Sequence, residues 1–190
     1  MIAKKYMCPR CYKLFTEGKA TEMKFKHHCH TAYDGDYLIP IDEPIADAIS
    51  LMNQKGYKTK ACCSGHYDEA IVSMMKETNK AFDNDELQAV PIASFYVDFE
   101  APVEMAEFIL NNPPVGLTID VESINPRGRG IEGLSFEIHG APVEIDPEVD
   151  YTEQDYDDNQ KWIDEVYAFS FKKWVDMLVD VDDFIADLDK

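Results

Sequence analysis

The C-terminal part of the chain carries the longest periodic pattern of apolar positions. Apolar or small side chains recur there at alternating spacings of four and three: Ile163, Tyr167, Ser170, Trp174, Met177, Val181, Phe184 and Leu188. Four more apolar residues widen this stripe beyond the narrow seam of a coiled coil: Val166, Phe169, Leu178 and Ile185. The pattern predicts a long amphipathic helix that either packs on the protein's own sheet or forms a dimer or partner contact. An acidic, proline-containing linker over residues 141–160 precedes it.

The central part of the chain alternates between helix and strand patterns. A helix is predicted over residues 42–55, because Asp42 can cap its start, Pro44 suits its first turn and Gly56 can end it. A second helix is predicted over residues 102–110. Strands are predicted at residues 56–63, 70–75, 92–99, 115–121 and 134–139, the last two as a hairpin.

Two knuckles of metal-binding residue types lie near the start of the chain. The first is Cys8-Pro9-Arg10-Cys11, and the second is His27-His28-Cys29-His30. Two thiols at i and i+3 followed by a His/Cys knuckle can close a tetrahedral zinc site. Cys29 with His27 or His30 would complete a Cys3His set, which we favour, while His27 with His30 would complete Cys2His2. Four protein ligands leave no open position for a reacting water, so we expect the metal to stabilise the fold.

These patterns together predict the fold class and the domain organisation. We expect an α+β protein: an α/β core with a mixed sheet, an N-terminal zinc ribbon and a long C-terminal amphipathic helix. The predicted units are a zinc ribbon at residues 1–33, an α/β domain at 38–141, and the acidic linker with its helix at 142–190. Within the ribbon, we expect a short hairpin around residues 16–19 and a return strand over 23–26.

Charge is distributed very unevenly along the chain. Residues 1–30 carry seven basic and two acidic side chains, whereas the other 160 residues carry eleven basic and thirty-five acidic ones, within a total of −19. A field of this sign repels nucleic acid and anionic membranes and attracts basic protein surfaces, although high charge also serves solubility. Direct nucleic-acid binding would be expected only through the basic side chains of the zinc segment: Lys4, Lys5, Arg10, Lys13, Lys24 and Lys26. No apolar run approaches the ~18 residues of a membrane span, and no signal peptide is apparent, so we expect a cytoplasmic protein.

A second candidate site is the run Cys62-Cys63-Ser64-Gly65-His66. Gly65 permits a turn with positive φ, successive N–H groups there can form an anion nest, and His66 can act as a base towards a neighbouring thiol. Cys63 and His66 are therefore the catalytic candidates if the protein is an enzyme. A buried cysteine is more often simply a small apolar residue. Separately, the glycine-flanked Arg127 and Arg129 can clasp a phosphate or a carboxylate, or remain solvated.

The segment from Ile41 to Gly65 resembles a known enzyme family. Ile41-Asp42-Glu43-Pro44-Ile45, then Gly56-Tyr57-Lys58-Thr59 and Cys63-Ser64-Gly65, are similar to the third enzyme of wybutosine synthesis, a tRNA-modifying methyltransferase. The resemblance covers roughly residues 38 to 122. It implies an α/β fold, S-adenosylmethionine as cofactor, and a ligand-binding cleft lined by Thr59, Cys63, Ser64 and Gly65. His66 stands where that family has arginine.

Two classes of function follow from these observations. The favoured one is an acidic zinc-ribbon protein, not an enzyme, that engages a basic surface of another macromolecule such as a nucleic-acid enzyme. A phage-type inhibitor, of which anti-CRISPR proteins are examples, would have this size and charge. The alternative is an enzyme that binds S-adenosylmethionine or a nucleotide at the Ser64-Gly65-His66 turn.

Overall fold

The computed structural model describes residues 3–29, 35–65, 90–93, 95–124, 133–141, 143–145 and 153–188. The strands are β1 (Lys4–Met7), β2 (Leu14–Thr16), β3 (Lys26–His27), β4 (Asp36–Tyr37), β5 (Ile39–Asp42), β6 (Lys58–Ser64), β7 (Val90–Ala93), β8 (Phe95–Ala101), β9 (Leu117–Ile124), β10 (Gly133–Gly140) and β11 (Val143–Ile145). The α-helices are α1 (Glu17–Glu22), α2 (Glu43–Gln54), α3 (Ala106–Asn111), α4 (Glu153–Ile163) and α5 (Phe169–Leu188). A 3-10 turn (Val103–Met105) precedes α3, and a π-helical segment (Asp164–Ala168) joins α4 to α5.

The centre of the fold is a four-stranded sheet in the order β6-β8-β10-β9. Its neighbouring strands all run antiparallel, and β10 pairs with β9 as the predicted hairpin. The mixed sheet expected from the sequence is therefore wrong for the described strands, which confirm the broader α+β class. The predicted strand at 70–75 lies outside the described residues.

One face of this sheet forms the protein core. Its inward side chains alternate along each strand, as in a half-buried sheet, and they include Phe95, Val97 and Phe99 on β8 and Phe136 and Ile138 on β10. Helices α2 and α5 supply the other half of the same core cluster. Aromatic pairs join the two layers, with ring centroids 5.7 Å apart for Phe95–Phe171 and 6.0 Å for Phe99–Trp174. The C-terminal helix therefore packs on its own sheet, as one of the two sequence alternatives expected.

The buried face of the C-terminal helix is rotated relative to the predicted stripe. Four stripe residues are buried as predicted: Ile163, Tyr167, Trp174 and Leu178. Phe171, Val175 and Val179 are buried as well, although the predicted stripe did not contain them. The cause is the π-helical segment, which inserts one residue relative to an α-helix and rotates everything that follows. The helical region also begins at residue 153, within the segment that the sequence predicted to be linker.

The N-terminal segment joins the core through a second sheet. Strand β1 pairs antiparallel with both β2 and β5, which leads directly into α2. The hairpin predicted around residues 16–19 is wrong, because α1 occupies residues 17–22 and Thr16 caps its start by accepting from the Lys19 N–H at 3.4 Å. Among the described residues, no helix combines the length and apolar character needed to cross a bilayer.

Candidate metal centre

Four side chains from the two knuckles converge on one point. The ligand atoms of Cys8, Cys11, His27 and Cys29 all lie within 4.8 Å of one another. Cys8 and Cys29 are buried, and Cys11 and His27 are partly exposed. A cluster of three thiols and one imidazole at this spacing can hold a metal ion.

The first knuckle is a tight turn between β1 and β2. The Cys8 N–H donates to the Lys13 carbonyl at 3.0 Å, and the Tyr12 N–H donates to the Cys8 carbonyl at 2.9 Å. Tyr12 closes the turn in the left-handed region, with φ 58°. These bonds bring the thiols of Cys8 and Cys11 to the same side of the turn.

The second knuckle follows the end of α1. Lys24 and Phe25 both adopt left-handed backbone conformations, with φ of 52° and 56°. The Phe25 N–H donates to the Ala20 carbonyl at 2.7 Å, so the chain reverses and enters β3, which carries His27. A non-glycine residue in this region costs roughly 1–2 kcal/mol. A small segment with such turns gains from a bound metal that offsets their cost.

The thiols of the cluster affect one another's pKa values. Burial and the adjacent Cys11 thiol raise the pKa of Cys29 to about 11. Burial also acts to raise the pKa of Cys11, but the Lys13 N–H and the neighbouring thiols outweigh it and lower that pKa. Cys11 therefore loses its proton more readily than Cys29. A divalent cation bound at this point would favour the thiolate form of its sulfur ligands.

The geometry selects among the candidate ligands within the described residues. His27 Nδ1 lies 3.7 Å from Cys11 Sγ, while the His28 ring packs against Gly35. His30 lies outside the described residues, so the Cys2His2 alternative stays a prediction. Arg10 ties the first knuckle to β4, since its Nε lies 2.6 Å from Asp36 Oδ2, and this carboxylate raises the pKa of Arg10.

The Ser64-Gly65 turn is held by contacts with the rest of the fold. The Ser64 N–H donates to Asp42 Oδ2 at 2.8 Å and its hydroxyl donates to the same oxygen at 3.2 Å. Lys4 pairs with the other oxygen of this buried carboxylate. Asp42 does precede α2 as predicted, but its side chain bonds Ser64 and Lys4 and does not cap the helix.

Gly65 has the positive φ that the sequence predicted, at 79°. A Cβ there would lie 3.2 Å from both Ile163 Cγ2 and the Phe95 backbone nitrogen. The Gly65 carbonyl accepts a hydrogen bond from the Gln160 side chain at 3.0 Å. Glycine is therefore required where α4 packs closely against this turn.

The other predicted ligand-binding residues are spread along β6 or lie beyond the described segments. Thr59, at the start of the strand, exchanges hydrogen bonds with the Asn53 side chain, at 2.6 and 3.2 Å. Thr59 pairs with Phe99 and Ser64 with Phe95 of β8, so the two residues lie at opposite ends of the strand, about 13 Å apart. Burial raises the pKa of Cys63, and that of Cys62 to about 11, so both are neutral thiols near pH 7. His66, Arg127 and Arg129 lie outside the described residues.

A cluster that the sequence analysis missed lies on the outward face of the four-stranded sheet. We call it the acidic face, and it consists of the side chains of Asp98, Glu100, Asp120 and Glu137. Glu137 on β10 stands directly opposite Asp98 on β8 and Asp120 on β9, so three carboxylates form a row across three strands. Lys60 pairs with Glu100 at 3.1 Å, and His139 with Asp120 at 2.9 Å. The strand alternation of the sequence carried this signal, but finding it required the register.

Comparison of the chain with protein-family models, with curated proteins and with solved structures found no match. The resemblance to the wybutosine-synthesis methyltransferases therefore stays a prediction from the sequence motif.

Proposed function

We propose that this protein is a zinc-stabilised, acidic binding protein that engages a basic surface of another macromolecule. The observation that carries the proposal is the row of three carboxylates on the acidic face. Like charges directly opposite each other on neighbouring strands destabilise a sheet. A basic partner converts this unfavourable arrangement into a favourable one, because its cations would lie close to several carboxylates at once.

Zinc is the metal that best suits the cluster of Cys8, Cys11, His27 and Cys29. Three thiolates and an imidazole form a common structural zinc set, and thiolate ligands disfavour magnesium and calcium. With four protein ligands, the ion would hold the two knuckles together and would leave no site for a reacting water. The N-terminal segment would then be a zinc ribbon, that is, a basic segment stabilised by the metal and joined to an acidic protein.

Native mass spectrometry together with cobalt substitution tests this assignment. We expect one zinc per chain, and a cobalt form whose visible spectrum shows tetrahedral thiolate coordination. Replacement of His28 should leave metal content unchanged, whereas replacement of Cys8 should abolish it. A chain that folds with no metal and has no affinity for cobalt would contradict the assignment.

The wider charge pattern supports a basic macromolecule as the partner. The 160 residues after residue 30 carry eleven basic and thirty-five acidic side chains, which favours fast, steered association with a cationic surface. The nucleic-acid channel of a nuclease or polymerase is a surface of this kind. Inhibition of such an enzyme, as by phage-type inhibitors such as anti-CRISPR proteins, is the activity that fits this proposal best.

A fluorescent deca-arginine peptide is a suitable defined probe. We expect binding with a dissociation constant that rises steeply between 0.05 and 0.3 M salt, because the interaction rests on exposed charges. A dissociation constant that does not change with salt, or no binding at 0.05 M salt, would overturn the proposal. Calorimetry with S-adenosylmethionine is the parallel test of the enzyme alternative, which the contacts of Ser64 and Gly65 do not favour.

A further inference from the structure

Among the side chains of α5 that the structure describes, three large apolar ones lie on the surface after the rotation caused by the π-helical segment. Phe169, Met177 and Phe184 are 55%, 39% and 64% exposed. They lie along one side of the helix, over about 22 Å from the first to the last. Apolar side chains exposed along one side of a helix are a candidate interaction surface on a highly charged protein.

The order of residues along this strip is symmetric. From the N-terminal end it reads Phe169, Lys173, Met177, Asp180, Phe184, with spacings of four, four, three and four. In an antiparallel pair of these helices, each Phe169 meets Phe184 of the other copy, and each Lys173 meets the other Asp180. Met177 then lies next to the two-fold axis. A parallel pair would instead place lysine on lysine and aspartate on aspartate.

A groove beside the strip can receive the incoming aromatic ring. It has a volume of about 590 Å³ and lies between α5 and the loop before β9, with Val115, Phe169, Lys173 and Met177 among its lining residues. Val115 is 86% exposed at its edge. Lys173 Nζ lies 4.5 Å from the centre of the Phe169 ring, so it is already placed beside the position where an acidic, aromatic segment would dock.

We propose that the α5 strip is the contact surface of an antiparallel homodimer. A second copy is the occupant because its own strip supplies an aromatic residue, with an aspartate four residues before it, in the matching order. A strip about 22 Å long and about 10 Å wide buries far less than the roughly 800 Å² per partner of a standard interface. The dimer is therefore weak and reversible.

Charge-swap complementation tests both the surface and the orientation. The measurement is sedimentation equilibrium of the full chain between 10 and 500 µM in 0.15 M salt, with Lys173→Asp, Asp180→Lys and the doubly changed chain. We expect concentration-dependent dimers for the unchanged protein and at least tenfold weaker association for each single change. The double change, and a 1:1 mixture of the two single changes, should restore association. Circular dichroism confirms that each variant keeps its helices.

Several outcomes would overturn the dimer. They are a monomer at all concentrations, association that neither single change weakens, and failure of the double change to restore it. Phe184→Ser provides an independent check, because it should weaken association without altering Lys173 or Asp180. If α5 instead binds a basic amphipathic helix of another protein, the unchanged chain stays monomeric alone, which counts against the dimer. None of these measurements uses a basic probe, so they are separable from the test of basic-partner binding.

Discussion

Removing one carboxylate from the acidic face should stabilise the protein. Glu137 stands directly opposite Asp98 and Asp120, and it is exposed on the sheet. The change Glu137→Gln removes two like-charge contacts while it keeps the length and shape of the side chain. Most surface substitutions have little effect or destabilise slightly, so a gain is a distinctive expectation.

The magnitude follows from the spacing of opposed residues. Side chains directly opposite on antiparallel strands are about 5 Å apart, which gives a repulsion of about 0.8 kcal/mol per pair in water without salt. Screening at 0.15 M salt reduces each by roughly half. The free energy of unfolding should therefore rise by about 0.8 kcal/mol at 0.15 M salt, by up to about 1.5 kcal/mol at 0.01 M, and by only about 0.3 kcal/mol at 1 M.

Urea unfolding followed by circular dichroism measures this change. The midpoint should move to higher urea with an unchanged slope, since the surface exposed on unfolding is the same. Glu107→Gln is the matched control, because it removes the same charge from an exposed position on α3. An equal gain in both variants would attribute the effect to net charge alone. A loss of stability in Glu137→Gln would refute the repulsive row.

Three further predictions concern packing, pH and the metal. Gly140→Ala should lower the free energy of unfolding by about 2 kcal/mol, because a Cβ there would lie 2.8 Å from the Tyr167 ring. Gly18→Ala on α1 is the control, because its Cβ meets open space and should leave stability unchanged or raise it. Thermal melts of both variants measure the difference. Folding raises the pKa of the Cys62 thiol from 9.0 to about 11, so the folded protein favours the neutral thiol. The free energy of unfolding should therefore fall as the pH rises from 9 to 11. This fall should be smaller in Cys62→Ala. An unchanged alkaline slope in that variant would contradict this reasoning. Cys8→Ser should lower the melting temperature of the N-terminal segment, because it removes a metal ligand. A chelator added to this variant should not lower that temperature further. If the chelator lowers it as much as in the unchanged protein, Cys8 is not a ligand.

The sequence was sufficient wherever spacing alone determines which residues meet. The i, i+3 thiols of Cys8 and Cys11 lie in one turn by chain geometry, and the strand alternation of residues 134–139 sets which side chains face the core. The positive φ of Gly65 follows equally from local chemistry. These features depend on neighbours in the chain.

Features that depend on tertiary register could not be read from the same patterns. The π-helical segment shifts the buried face from Ser170 to Phe171, and no local signal in the sequence marks that insertion. The acidic row depends on the pairing of β8, β10 and β9, which sets Glu137 between two aspartates. Asp42 is a good helix cap by propensity, but its carboxylate accepts hydrogen bonds from the buried Ser64 and does not cap α2.

The central claim is that the acidic face is the surface that binds a basic partner. Its most direct test compares how tightly two triple variants of equal net charge bind deca-arginine at 0.05 M salt. The first variant neutralises the acidic face with Asp98→Asn, Asp120→Asn and Glu137→Gln. The second is the control and carries Glu43→Gln, Glu104→Gln and Glu107→Gln. At about 0.5 kcal/mol per exposed contact, neutralising the face should raise the dissociation constant about tenfold. The second variant, changed at exposed positions on or beside α2 and α3, should differ less than about threefold from the unchanged protein. Equal weakening in the two variants would contradict the claim.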